Sequence, residues 1–129
     1  MTITPVYTAI LILVFIGLSV RTLRLRRRLG IPLGDRGNEE MSRAMRVHAN
    51  FAEYVPIALF GIFMFELSGG GAALTHLLGA ALVIGRISHA YGVSRSPEDY
   101  RYRVFGMALT FTVLAVAAFA LLTAYIWIG

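Results

Sequence analysis

Long apolar segments separated by short polar ones make up most of the chain. Uncharged runs cover residues 1–20, 67–85 and 104–129. A helix needs about 20 apolar residues to cross the hydrocarbon layer of a bilayer, so these runs predict three membrane spans. A fourth candidate, residues 54–65, is uncharged for only twelve residues. It is long enough to span the bilayer only if the polar segment before it, residues 43–53, forms the first half of the same helix.

Proline, glycine and charged residues mark where four predicted helices begin and end. We predict helices from about Pro5 to Leu29, from Glu40 to Leu67, from Ala72 to Tyr91, and from the segment Ser96–Asp99, with its acids in the first turn, to Ile128. Pro5 suits a helix start, where its missing N–H costs nothing. Gly30 and Pro32 stop the first helix. Pro56 inside the second helix predicts a kink, since it frees the carbonyl of Ala52.

Arginine placement predicts how the helices cross the membrane. The first connection carries seven arginines and the third carries three, whereas the second connection and both chain ends carry none. Basic loops stay on the cytosolic side. Four spans place both arginine-rich loops there and both termini on the non-cytosolic side. The predicted fold is therefore all-α, an integral membrane four-helix bundle forming one domain over residues 1–129.

Composition supports a membrane protein and excludes several kinds of chemistry. Hydrophobic residues make up 57% of the chain and charged residues only 15%, which is too apolar for a soluble domain of this size. The net charge of +5 is concentrated at membrane edges, so it does not indicate nucleic-acid binding. There is no cysteine, so any thiol chemistry must use a thiol from a ligand. The three histidines lie on different faces or at different depths, and no metal site is expected.

A polar stripe interrupts the second predicted helix. It consists of Arg43, Arg46, Asn50 and Glu53, with Tyr54 beside it. At 100° per residue the four stripe positions fall within one narrow sector. Glu53 lies roughly 15 Å along the axis from Arg43, since each residue rises 1.5 Å. A charge facing lipid there would cost about 2.5–3.5 kcal/mol, so the stripe must face partners or water.

Two interpretations of the stripe stay open on the residues alone. In the first, Glu53 pairs with Arg46 or Arg86 and Asn50 bridges two helices, because buried polar groups need partners. In the second, the stripe lines a pocket open to the cytosol. Its arginines would hold carboxylates, Asn50 would donate and accept, and Glu53 would accept from an ammonium group. That set suits a small zwitterion with two carboxylates.

Further polar positions lie on the third and fourth helices. Arg86 and His89 share one face of the third helix, where Arg86 could snorkel to the interface and His89 could bond a neighbouring helix. Arg101 and Arg103 open the fourth helix on different sides. At most one of these two arginines can face the stripe.

Three segments carry a resemblance to a known family. The second helix reads RxxRxxxNxxEYxP from Arg43 to Pro56, the third contains GRISH at residues 85–89, and the fourth begins with RVFG at residues 103–106. Together with the length, the four spans and the basic first loop, they make the chain resemble the MAPEG family, the membrane-associated proteins in eicosanoid and glutathione metabolism. The resemblance covers essentially the whole chain.

This resemblance implies a homotrimer whose glutathione sites lie between adjacent subunits and open to the cytosol. By position, the glutathione-binding residues would be Arg24 on the first helix, Arg46, Asn50, Glu53 and Tyr54 on the second, and His89 from the third helix of the neighbouring subunit. Arg103 matches the arginine that stabilises the glutathione thiolate in catalytic relatives. Arg101 stays open as the alternative.

The implied activity is that of a glutathione-dependent transferase or peroxidase. A guanidinium beside the thiol favours its ionised form, which then attacks a lipophilic electrophile or hydroperoxide arriving from the lipid. The expected partners are copies of the same chain, membrane lipids and that lipophilic substrate. The expected location is a bacterial inner membrane. The alternatives are a non-catalytic, lipid-binding or scaffolding trimer and a small transporter subunit.

Three positions depart from the family pattern. Ala49 stands where some relatives have a second arginine, and Val93 where several have a tyrosine. Val104 replaces the serine of prostaglandin E synthase, which argues against that isomerase activity. The chain is most similar to the plain bacterial branch, and the resemblance does not identify its electrophile.

Overall fold

Four long helices account for most of the chain. This computed structural model describes residues 2–128, apart from the side chains of residues 125, 127 and 128. The helices are α1 (Thr4–Leu29), α2 (Glu39–Leu67), α3 (Ala72–Ser94) and α4 (Tyr100–Ile128). All four are long and apolar enough to cross a membrane. The described residues contain no strand, so the all-α, four-span prediction is confirmed for this part of the chain.

The helix boundaries follow the sequence signals with two differences. α3 continues to Ser94, three residues beyond the predicted end at Tyr91. α4 begins only at Tyr100, so the predicted first-turn acids precede the helix. The side chain of Asp99 accepts a hydrogen bond from the backbone N–H of Arg101 at 3.1 Å, which is how an aspartate satisfies a free donor at a helix start. Despite the proline at position 56, α2 is one unbroken helix.

The helices run antiparallel, so the two arginine-rich connections meet at one end of the bundle. There Arg43, in the first turns of α2, donates to the carbonyl of Arg95 at 3.2 Å, which ties the start of α2 to the third connection. We call this end the arginine end. At the opposite end the carboxylate of Glu66 accepts from the backbone N–H of Thr4 at 2.9 Å and from its hydroxyl at 2.6 Å. The prediction that both arginine-rich connections are cytosolic requires them to lie at the same end of the bundle, as they do. Which side of the bilayer this end faces stays a prediction.

The apolar core lies along α2 and α3, the two helices that each contact all of the others. Its buried members are Leu11, Phe51, Val55, Ala58, Ile62, Leu78, Leu82, Val113 and Ala117. The outer faces are equally apolar: Leu13 is 70% exposed and Phe119 is 68% exposed. Apolar patches of this extent are rare on soluble monomers, and they fit a surface covered by lipid or by other subunits.

Glycines bring α3 and α4 into close contact near the arginine end. A Cβ atom on Gly106 would lie 2.4 Å from the carbonyl oxygen of Gly85 and 2.5 Å from the backbone nitrogen of His89. Small residues allow membrane helices to approach at backbone distance in this way. The contact places His89 directly against α4.

A methyl group at position 106 should separate these two helices. We expect Gly106→Ala to lower the free energy of unfolding in detergent by about 1–3 kcal/mol, because the added atom meets backbone rather than a flexible side chain. Gly17→Ala is the matched control, since a Cβ there meets nothing within 4 Å. It should be neutral or stabilising by about 0.5–1 kcal/mol. Equal stability of the two variants would contradict the close packing.

Candidate functional site

The most deeply buried charge of the described chain is Arg86 on α3, whose side chain is only 1% exposed. Its Nη2 donates to the side-chain oxygen of Asn50 on α2 at 2.6 Å and to Nδ1 of His89 at 3.3 Å. Its Nη1 donates to the hydroxyl of Thr110 on α4 at 3.2 Å. The guanidinium therefore joins three helices through neutral acceptors.

Aromatic rings complete the enclosure of this guanidinium. Its carbon lies 6.0 Å from the ring centre of Phe51 and 6.0 Å from that of Tyr54. At such distances the ring faces attract a cation electrostatically. Among the described residues Arg86 forms no ion pair with a carboxylate. Dipoles and ring faces, rather than a counter-charge, stabilise it.

A pocket of about 160 Å³ opens beside Arg86, between α2, the end of α3 and the start of α4. We call it the arginine pocket. Its lining consists of Ser42, Arg43, Arg46, Asn50, His89, Val93, Glu98 and Arg103. Three guanidinium groups face a single carboxylate in this set. The pocket is therefore suited to anions.

The three arginines of the pocket differ in the partners that their guanidinium groups have. Arg103 pairs with Glu98, with Nη1 and Oε1 2.8 Å apart. Arg43 pairs with Glu39 at 2.9 Å in addition to its bond to the third connection. Arg46 is exposed and makes no hydrogen bond or ion pair with any side chain that the structure describes. Its guanidinium is thus the most accessible anion-binding group.

Four of the predicted site residues come together in this pocket within one chain. They are Arg46, Asn50, His89 and Arg103. The resemblance placed His89 in the neighbouring subunit, whereas His89 of the same chain already lines the pocket, because α3 packs directly against α2 and α4. Of the two arginines that open α4, Arg103 lines the pocket and Arg101 does not.

Glu53 and Tyr54 continue the sequence motif but do not line the pocket. The side chain of Glu53 is exposed on the outer face of α2. Tyr54 packs edge-on against Phe111, with ring centres 5.5 Å apart. The reason is helical geometry: Glu53 is turned by about 60° from Asn50, whose side chain is drawn inward by Arg86. The polar stripe is therefore split between an inner and an outer face.

Arg24 lies elsewhere, on a second pocket of about 500 Å³ along α1. Arg21, Arg28 and Glu40 line this pocket too, and it shares no lining residue with the arginine pocket. Nη2 of Arg28 donates to both carboxylate oxygens of Glu40, at 2.6 and 2.7 Å. In one chain, then, Arg24 does not reach the other predicted ligands.

Both interpretations of the stripe describe part of the structure. Asn50 bridges α2 to α3 through its bond to Arg86, as the first interpretation expects. Within the described part of the chain, however, Glu53 forms no ion pair with Arg86 or Arg46. A pocket is nevertheless left beside this bridge, as the second expects. Sequence reasoning offered Arg86 as a partner of Glu53 or as a snorkelling residue, and Glu98 only as part of a helix start. The signal for Arg86 was an intramembrane arginine in GRISH; nothing local marked Glu98 as a pocket residue.

Comparisons with known proteins agree with the fold. A sequence profile described as the MAPEG family matches residues 4–123. The chain is 30% identical over 118 residues to the inner membrane protein YecN of Escherichia coli strain K12, a match that covers 92% of this chain and 88% of that protein. It is also 30% identical over 103 residues to an uncharacterized protein of Synechocystis, which covers 79% of this chain and 72% of that protein.

The bond between Arg86 and Asn50 can be tested by a double-mutant cycle. We expect Arg86→Met and Asn50→Leu to be less than additive, with a coupling of about 1–2 kcal/mol, because either single variant already removes the bond between the two side chains. Unfolding in a detergent mixture of increasing denaturing strength would measure it. Pairing Arg86→Met with Ser68→Ala, at the far end of α2, gives the control. Additivity in both cycles would contradict the bridge.

Proposed function

Because the chain belongs to the MAPEG family, we propose that it is a glutathione-dependent membrane transferase or peroxidase. The observation that carries the proposal is the arginine pocket, where Arg46, Asn50 and Arg103 converge. Four apolar helices make it an integral membrane protein. The name of the Escherichia coli relative supports an inner-membrane location, and the site opens to the cytosol in this proposal.

The proposed chemistry depends on ionising a thiol that the chain itself does not contain. A free thiol has a pKa near about 8.5, so only a small fraction is thiolate at neutral pH. The Arg103 guanidinium in a partly desolvated pocket would favour the anion. In conjugation the thiolate forms a carbon–sulfur bond while the leaving group departs. In hydroperoxide reduction it attacks the terminal oxygen and breaks the O–O bond, and the alkoxide that leaves takes a proton from water to become the alcohol. A second glutathione then condenses with the resulting sulfenic acid to form a disulfide and water.

The other side chains would hold the glutathione backbone. Arg46 is accessible for a carboxylate, and Asn50 and His89 offer polar atoms at the closed end of the pocket. A volume of about 160 Å³ is smaller than the roughly 300–1,000 Å³ typical of small-molecule sites. We infer that further walls come from neighbouring copies in a homotrimer. Glu53, Tyr54 and Arg24 would join the site there.

A non-catalytic, lipid-binding or scaffolding trimer is the second candidate. The observation in its favour is that two of the assigned groups already have partners: Asn50 bonds Arg86, and Arg103 pairs with Glu98. Glutathione calorimetry with the protein in nanodiscs separates the two candidates. Heat of binding together with thiolate absorbance supports the enzyme, and the lack of both supports the scaffold.

We expect Arg103→Ala to abolish the thiolate absorbance of bound glutathione at neutral pH and to lower the rate of conjugation. Each pKa unit of lost stabilisation corresponds to about tenfold in the thiolate fraction. Arg103→Lys should retain part of the effect, since it keeps the charge but not the fork geometry. Arg101→Ala is the control, because that side chain lies outside the pocket.

The assignment of Arg103 has a clear contrary outcome. An Arg103→Ala variant that binds glutathione normally and keeps full activity would refute the catalytic role while leaving the site itself intact.

The proposed homotrimer predicts a definite mass and stoichiometry. Native mass spectrometry of the detergent-released protein should show three copies of the 14.2 kDa chain. With glutathione added, we expect up to three bound molecules per assembly. A monomer that still binds glutathione would refute the proposal that neighbouring copies complete the site.

A further inference from the structure

The arginine pocket contains its own anion. Glu98 lies in the short connection between the end of α3 at Ser94 and the start of α4 at Tyr100. Its carboxylate is 2.8 Å from the Arg103 guanidinium, and its side chain is only 16% exposed, compared with 46% for that of Arg103. The acid is therefore turned into the pocket, whereas most acids in such a connection extend into water.

The surroundings of this carboxylate are cationic. Arg43 and Arg46 from α2 and Arg103 from α4 line the same pocket. Glu98 is the one acidic side chain among the lining residues that the structure describes. It stands where an anionic group of a ligand would be held.

Asp99, the next residue, behaves differently. Its carboxylate accepts from the backbone N–H of Arg101, and it does not line the pocket. The two neighbouring acids thus have different roles: Asp99 caps the start of α4, and Glu98 neutralises Arg103. Because Glu98 lies outside both helices, its side chain can leave the pocket without unwinding a helical turn.

We propose that Glu98 is a built-in counter-anion of Arg103, which a ligand thiolate must displace. This inference rests on the function proposed above and adds a specificity determinant to the same site. A neutral thiol or a thioether does not compete with a carboxylate for the guanidinium, whereas a thiolate does. Glu98 therefore makes binding at Arg103 selective for the ionised sulfur. It also protects the arginine from unproductive anions in the empty site.

Calorimetry with two probes tests this assignment. Glutathione can present a thiolate to Arg103, whereas S-methylglutathione cannot. In the full-length protein in nanodiscs, we expect Glu98→Gln to tighten glutathione binding roughly two- to fivefold, the value of one partly exposed ion pair, because the thiolate no longer competes with a charge. S-methylglutathione keeps only its carboxylates as anions, so it should gain clearly less affinity from Glu98→Gln than glutathione does.

The pH dependence of the thiolate absorbance supplies a second readout. Removing the negative charge next to Arg103 should shift the ionisation of bound glutathione to lower pH. Asp99→Asn is the matched control: it removes the same charge one residue away, and its amide oxygen can still accept from Arg101. It should alter neither the affinity nor the titration.

The outcomes keep this inference separate from the proposed function. If the native protein binds no glutathione, the proposed function itself fails. If the native protein binds glutathione but Glu98→Gln matches Asp99→Asn in affinity and titration, only the counter-anion assignment fails. Weaker glutathione binding by Glu98→Gln would also overturn it, since Glu98 would then assist the ligand.

Discussion

A buried guanidinium without a counter-charge is the feature on which the site depends. Placing a cation among apolar helices is expensive unless every donor is directed at an acceptor or a ring face. Arg86 lowers this cost by drawing Asn50 from α2 and Thr110 from α4 toward α3, so that both of its terminal nitrogens have acceptors, whereas its Nε has no hydrogen-bond partner among the described residues. The cost of burying that charge thus determines how three helices are oriented about one another.

The arginine pocket is a consequence of this arrangement. Asn50 and His89 both bond Arg86, so the side of the pocket that they line is polar but uncharged. The cations that remain accessible lie toward the rim, where one is exposed and another is neutralised by Glu98. An anion approaching from the arginine end therefore meets accessible charge first and fixed dipoles afterwards. This order suits a small anionic guest whose charged groups bind the arginines and whose neutral polar groups bind the dipoles.

Much of the architecture could be read from the sequence because the bilayer imposes simple rules. Apolar length predicted three spans, and the arginine distribution favoured a fourth and predicted which connections share an end. The resemblance assigned Arg46, Asn50, His89 and Arg103 to one site, and these four residues line the arginine pocket. Their role in binding glutathione stays a prediction. Glu53 and Tyr54 do not line the pocket of a single chain, because a shared helical sector does not say which part of it a neighbouring helix covers.

The sequence by itself determined the number of spans, their direction relative to each other and the residue types available for chemistry, since these follow from local hydropathy and charge. Only the tertiary structure decided which polar groups meet. The short distance from Arg86 to Asn50 joins positions 36 residues apart, and the Glu98–Arg103 pair depends on how the chain turns into α4. Such contacts are set by packing between helices, for example where Gly85 and Gly106 let the backbones of α3 and α4 touch. The periodicity of a single helix does not encode these contacts.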